Sequence, residues 1–196
     1  MTMDEFNSVV ELLGALLIDP RTVLLFALLT IAAVSDYRTY KIPNWLTASG
    51  LAIGLIYSVA TPPSLHTGFL WALGGVLLGF VMMLPLYVLK AMGAGDVKLM
   101  AMVGSFLGAA DTFNAVILTF VVGGIAALAF ALSNKALARL VCNVKNIVQV
   151  LMLSAIGGIR PDVAIDARKS VGRLPYGISI SFGTMGYVVA RQLGYL

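Results

Sequence analysis

Residues 67–89 read TGFLWALGGVLLGFVMMLPLYVL, a run of 23 positions without a charged side chain. As a helix rising 1.5 Å per residue, such a run covers the roughly 30 Å hydrocarbon core of a bilayer. Working outward from it, five further apolar stretches fit spans at about 20–35, 45–60, 97–110, 112–132 and 175–193. Asp19 is a good N-cap for the first of these, with Pro20 at the first helical position. The whole chain agrees with this reading: of 196 residues, 60% are hydrophobic and only 11% charged, with a mean hydropathy of +0.96. A soluble domain is about 45–50% apolar and about 25% charged. A soluble enzyme of this length could not bury so much apolar surface, and a disordered tail would carry more charge. The expected fold class is therefore all-α: a polytopic membrane protein of about six transmembrane helices, forming one domain over residues 1–196.

Charge placement orients the spans. If the N-terminus lies outside, the cytoplasmic loops are 36–44, 90–96 and 133–174, with Lys98 snorkelling back to the same side. Arg38, Lys41, Lys90, Lys98, Lys135, Arg139, Lys145, Arg160, Arg168, Lys169 and Arg173 then face the cytoplasm, 11 of 13 basic residues. Only Arg21 and Arg191 fall outside, as the positive-inside rule favours. Both termini are then external. The net charge of +4 follows from these loops and calls for no nucleic acid. The start of the chain is acidic and lacks the basic region of a signal peptide, so residues 5–18 are expected to remain, as an interfacial helix or an extension of span one.

Within the cytoplasmic segment 133–174, residues 136–156 place Leu137, Leu140, Val141, Val144, Ile147, Val148 and Leu151 on one helical face. Arg139, Lys145 and Gln149 occupy the others, which describes an amphipathic helix lying on the cytoplasmic leaflet. The pairs Gly50/Gly54, Gly75/Gly79 and Gly104/Gly108 have the spacing that lets helix backbones approach closely. Trp45 fits an interfacial anchor. Cys142 is the only cysteine, so neither an intrachain disulfide nor a cysteine-based zinc site can form. His66 lacks a metal-ligand partner at suitable spacing, and Asp162 and Asp166 fit a solvated loop.

Two carboxylates stand apart. Asp36 follows the apolar run of span one, in Val34-Ser35-Asp36-Tyr37-Arg38-Thr39-Tyr40-Lys41-Ile42-Pro43-Asn44. Asp96 opens span four, in Met92-Gly93-Ala94-Gly95-Asp96-Val97-Lys98. The topology brings both to the cytoplasmic edge. Residues 20–36 and 96–110 would cover about 24 Å and 21 Å as helices, short of the core, so both aspartates are expected just inside the boundary. An ionisable residue there is a candidate functional site. Taken singly, each has a plainer reading: Asp36 as a solvated helix end, Asp96 as a turn and N-cap, and Ile42-Pro43-Asn44 as a turn capped by Asn44.

Together they are the parts of an aspartyl protease, in which one carboxylate takes a proton from water and the other protonates the scissile carbonyl. Like charges in proximity separate the two titrations. Because Asp96 begins a helix and Asp36 ends one, the helix dipoles predict Asp96 as the resting base and Asp36 as the resting acid, an order that Arg38 and Lys41 could reverse.

At these residues the chain resembles the type IV prepilin peptidases, within the GxGD intramembrane aspartyl proteases. Gly93-Ala94-Gly95-Asp96-Val97-Lys98 resembles the GxGDxK signature. Asp36 with Ile42-Pro43-Asn44 resembles the D-x5-I-P-N motif, and Leu174-Pro175-Tyr176-Gly177 the motif opening the last span. The resemblance covers roughly residues 22–190. It implies that Asp36 and Asp96 are the catalytic pair, that Gly93 and Gly95 shape the turn, and that Lys98, Pro43 and Asn44 support it, with neither metal nor organic cofactor. It also implies a substrate: a pilin or pseudopilin whose basic leader is cut from its hydrophobic helix at the cytoplasmic face of the bacterial inner membrane. The short chain without CxxC pairs resembles the peptidase-only forms of tight-adherence (Flp) pilus systems, so N-methyltransferase activity is not expected. The implied partners are the prepilin and membrane lipids.

Two other classes stay open on sequence. A small proton-coupled transporter would place acidic groups near the midplane and show inverted repeats; neither is visible here. A non-catalytic pilus or secretion assembly subunit would have no need of the aspartate pair.

Overall fold

A computed structural model of the chain describes residues 19–61, 68–89, 91–133, 145, 148, 149 and 176–195. Among these, every regular element is an α-helix: α1 (Pro20–Thr39), α2 (Asn44–Ala60), α3 (Phe69–Val88), α4 (Ala94–Ser133) and α5 (Tyr176–Gln192). The all-α membrane class expected from composition is therefore the observed one. By length and composition α1, α3 and α4 can each cross a membrane, and α2 is a shorter apolar helix. The amphipathic segment 136–156 lies outside the described residues except for positions 145, 148 and 149, which are helical. Residues 1–18, His66, Lys90, Cys142, Asp162, Asp166, Leu174 and Pro175 also lie outside them.

The ends of α1 show how local chemistry sets a boundary. Asp19 caps the start, accepting from the Arg21 amide at 3.1 Å and the Thr22 hydroxyl at 2.8 Å. The expected end at residue 35 is corrected: the helix runs a further turn to Thr39. The Thr39 hydroxyl bonds back to the Ser35 carbonyl at 2.8 Å. Tyr40 then adopts the left-handed conformation (φ 51°), with its amide on the Asp36 carbonyl. The 20 residues cover about 30 Å, the full core thickness, so α1 has no shortfall. Asp36 therefore lies within the last helical turn.

A second correction concerns α4. The apolar runs predict a break at about residue 111; the backbone breaks instead at Gly108, with φ 74° and ψ 176°. That left-handed value favours glycine, and a Cβ there would run into the Trp71 indole. Neighbouring contacts give the direction of each arm. In the first arm, residues 94–107, Gly79 of α3 faces Met100, Gly75 faces Gly104, and Trp71 faces Gly108. In the second arm, Asp111 meets Arg191, Asn114 meets Tyr187, Thr119 meets Gly183 and Gly123 meets Ser179. The second arm thus runs antiparallel to α5, back toward the end that carries Asp96. Gly108 is a hairpin point between the expected fourth and fifth spans.

The first arm forms the centre. Leu99 through Leu107 are all buried, matching a stretch that is apolar on every face. The glycine pairs supply the packing. A Cβ on Gly79 would lie 2.6 Å from the Met100 carbonyl, and one on Gly75 would lie 2.8 Å from the Gly108 Cα. Gly50 and Gly54 of α2 receive Met102 and Ser105 in the same way. Lipid offers no hydrophobic drive between helices, so close contact of small residues has to hold them together. Outward-facing Ile31, Val34, Ile56, Leu70, Leu77 and Val121 are exposed, as a lipid-facing surface requires.

Candidate active site

Two helix ends and one turn build the site. Asp36, in the last turn of α1, is only 5% exposed, and Asp96, in the first turn of α4, is 8% exposed. The two are near enough for the charge of Asp36 to act on Asp96. Tertiary packing thus brings together the two aspartates singled out in the sequence.

Each carboxylate takes hydrogen bonds from backbone amides at a helix start. Oδ2 of Asp96 accepts from the Gly93 amide at 2.9 Å. Gly93 immediately precedes α4, and Asp96 is its third residue, so this is the reach-back half of a capping box. Asp36 turns away from its own helix. Its Oδ2 accepts from the Gly177 amide at 2.7 Å, at the start of α5, and the Ile178 amide is also directed at it. The first amides of a helix have no internal partners, so α5 supplies two donors that nothing else in that helix could use. This overturns the dipole argument for ranking the aspartates. Asp36 sits at the end of α1 but also at the beginning of α5, so helix ends no longer distinguish it from Asp96.

The other expected residues surround this pair. Gly95 packs on Ile42, where a Cβ would lie 3.3 Å from the Ile42 Cβ. Ile42 also reaches α5: its Cδ1 would be 3.0 Å from a Cβ on Gly177. The isoleucine of the turn therefore wedges between the starts of α4 and α5. Pro43 occupies the N-cap of α2, and its carbonyl accepts from the Leu46 amide. Asn44 is not the cap expected of it; no side chain caps α2. Instead its Oδ1 accepts from Nζ of Lys98 at 2.9 Å, joining the turn before α2 to the first turns of α4. The proline takes the cap position, which frees the asparagine for this longer-range bond.

Two residues that the sequence analysis did not single out for the site belong to it. Gly177 is one: a Cβ there would be 2.8 Å from Oδ2 of Asp36, so only glycine lets α5 come this close. Tyr176 is the other, with its phenol in Coulombic range of Asp96. Their signal was the Pro-Tyr-Gly sequence opening a helix, which marks a start but not what the start touches. Among the described residues, no three His, Cys, Asp or Glu side chains gather as a metal site would need.

The end opposite the aspartates holds a second polar cluster. Arg191 pairs with Asp111, which also accepts from the Tyr187 hydroxyl at 2.7 Å. The Arg21 guanidinium lies 4.3 Å from the centre of the Trp71 ring. Arg21, Trp71, Asp111 and Arg191 line a cavity of about 280 Å³ together with Asp19, Thr22 and Phe106.

No curated protein and no solved structure matches the chain. A family model does: it covers residues 23–128, more than half of the chain, including both buried aspartates and the glycine-lined centre, and by that match the chain belongs to the type IV leader peptidase family.

Proposed function

We propose that this leader peptidase is an aspartyl endopeptidase in which Asp36 and Asp96 are the catalytic pair. The observation carrying this is the convergence of two buried carboxylates from different helices, each held by amides at a helix start. One carboxylate, ionised, takes a proton from water as the water oxygen attacks the scissile carbonyl carbon. The other, protonated, gives its proton to the carbonyl oxygen, leaving a tetrahedral diol. When the C–N bond breaks, the first carboxyl passes its proton to the leaving nitrogen. The second recovers a proton from a hydroxyl as the carbonyl re-forms, and both groups return to their starting states. Gly93 and Gly95 shape the approach to Asp96, while Pro43, Asn44 and Lys98 hold the adjoining turn.

The substrate in this reading is a pilin or pseudopilin, cut between a basic leader and its hydrophobic helix. That helix is itself a membrane segment and can reach the site sideways through lipid. Six spans, with 94–107 and 109–133 as the fourth and fifth, put the aspartates at the cytoplasmic face of the inner membrane and both termini outside. Basic residues near the site support this orientation: Arg38, Lys41 and Lys98 lie at the aspartate end of their helices.

Co-expression with a prepilin, followed by the mobility shift of leader removal, tests the proposal. Wild-type enzyme is expected to mature the pilin, and Asp36→Asn and Asp96→Asn, tested singly, to leave it unprocessed. Maturation by either variant at the wild-type rate would remove the pair from the chemistry.

A further inference from the structure

We infer that Tyr176 is a further catalytic residue: its phenolic hydroxyl donates a hydrogen bond to the scissile carbonyl oxygen as charge develops there in the transition state. The inference rests on the aspartyl reading and adds to it a donor from α5, a helix beyond the residues matched by the family model.

Three observations converge on this tyrosine. First, its place is set by the neighbouring residue: the Gly177 amide bonds Asp36 at 2.7 Å, so the first residue of α5 is tethered beside one carboxylate. Its phenol is in Coulombic range of the other. Second, its ring is half-buried and packed against the apolar core, which restricts where the hydroxyl can point. Third, that hydroxyl makes no hydrogen bond among the described residues. The contrast with Tyr187 is informative. At the opposite end of the same helix, the Tyr187 hydroxyl donates to Asp111 at 2.7 Å and faces the Asn114 amide at 3.4 Å.

A phenol near a carboxylate would ordinarily bond it, since an O–H to a charged acceptor is among the stronger hydrogen bonds. Tyr176 adjoins Gly177, whose amide is held on Asp36, and its phenol lies within Coulombic range of Asp96 without bonding it. In this inference the substrate carbonyl lies between the phenol and the aspartate pair. There the hydroxyl would strengthen its hydrogen bond as the carbonyl oxygen gains charge, without giving up its proton. The proton accounting of the two aspartates is unchanged. A donor fixed in advance at that oxygen acts on the transition state more than on bound substrate, so its loss lowers kcat rather than raising KM.

The test uses the full-length enzyme in proteoliposomes with a purified prepilin. Tyr176→Phe keeps the ring and removes only the hydroxyl. It is expected to lower kcat on the order of 100-fold with KM nearly unchanged. Tyr187→Phe, a phenol lost far from the site, is expected to keep wild-type kcat. Wild-type kcat in Tyr176→Phe overturns the inference, and so does a raised KM with kcat unchanged. Should Tyr176→Phe fold poorly, Tyr176→His restores an N–H donor on a ring. It must then exceed Tyr176→Phe in kcat per folded molecule, and equality overturns the inference. The two readings fail separately. Active Asp36→Asn or Asp96→Asn enzyme removes the aspartyl reading and Tyr176 with it, whereas inactive aspartate variants beside a fully active Tyr176→Phe remove Tyr176 alone.

Discussion

Replacing Gly177 with alanine sets two effects of one methyl group against each other. In a helix, alanine is favoured over glycine by roughly 0.5–1 kcal/mol because it has less backbone freedom to lose. At this position the methyl carbon would lie 2.8 Å from Oδ2 of Asp36 and 3.1 Å from its Cβ. Ordinary contact begins near 3.4 Å, so the carboxylate oxygen must retreat by roughly 0.6 Å, and the hydrogen bond from the Gly177 amide lengthens with it. Catalytic groups misplaced by about 1 Å lose on the order of 100-fold in rate. The smaller shift scales to about 10-fold in kcat. Stability and activity are therefore expected to separate: an unchanged or higher melting temperature in detergent, with slower prepilin cleavage in proteoliposomes. Gly186→Ala is the control, because a Cβ there meets only Leu118 at an ordinary 3.5 Å. It is expected to show the same gain in stability with no loss in rate. Wild-type kcat in Gly177→Ala would refute the reasoning. Equal losses in both variants would also refute it, since they would trace the effect to α5 packing rather than to Asp36.

Gly104→Ala pushes a methyl into the Gly75 backbone, where no side chain can swing aside. A loss of at least about 1–3 kcal/mol is expected, read as a lower unfolding midpoint in detergent or a drop in folded protein. Asn44→Ala and Lys98→Ala remove the two ends of one exposed hydrogen bond, so their effects are expected to be non-additive. A double-mutant cycle on thermal stability should return about 0.5 kcal/mol of coupling, and strict additivity would show that the bond contributes nothing. Tyr187→Phe removes the hydroxyl shared by Asp111 and Asn114, at a cost of about 1 kcal/mol in the unfolding midpoint.

The helices were legible because their signals are local. Asp19-Pro20 marks the start of α1, and uncharged runs mark α1 to α4 within a few residues. The glycine pairs were legible as packing surfaces, although not which helix each would meet; all three converge on the first arm of α4. What escaped the sequence depends on contacts between distant positions. Asp36 and Gly177 are 141 residues apart and Asn44 and Lys98 are 54, so neither bond has a local signature. The dipole ranking of the aspartates missed the contact of Asp36 with α5 for the same reason, because it considered only the helix each belongs to. Gly108 was read as half of a packing pair. Its left-handed backbone, which turns the chain around, packs against Trp71 of α3, a contact between distant positions. The extra turn of α1 depended on a threonine hydroxyl folding back on a carbonyl, a choice that leaves no trace in hydropathy.

The polar cluster opposite the aspartates bears on how such a chain settles into a bilayer. Arg21 and Arg191 were the two exceptions to the sorting of cations, and each would count against moving its segment across the membrane. In the folded protein Arg191 is matched by Asp111, and Arg21 lies within Coulombic range of Asp19 and Asp111. The two arginines and two aspartates sum to zero. On the proposed orientation, what is carried to the far side is a neutral knot rather than two free cations, which leaves the other eleven basic residues of the sequence to set the topology. Separating the knot, by Asp111→Asn for example, would restore a cation to the tally and weigh on insertion before it weighed on catalysis.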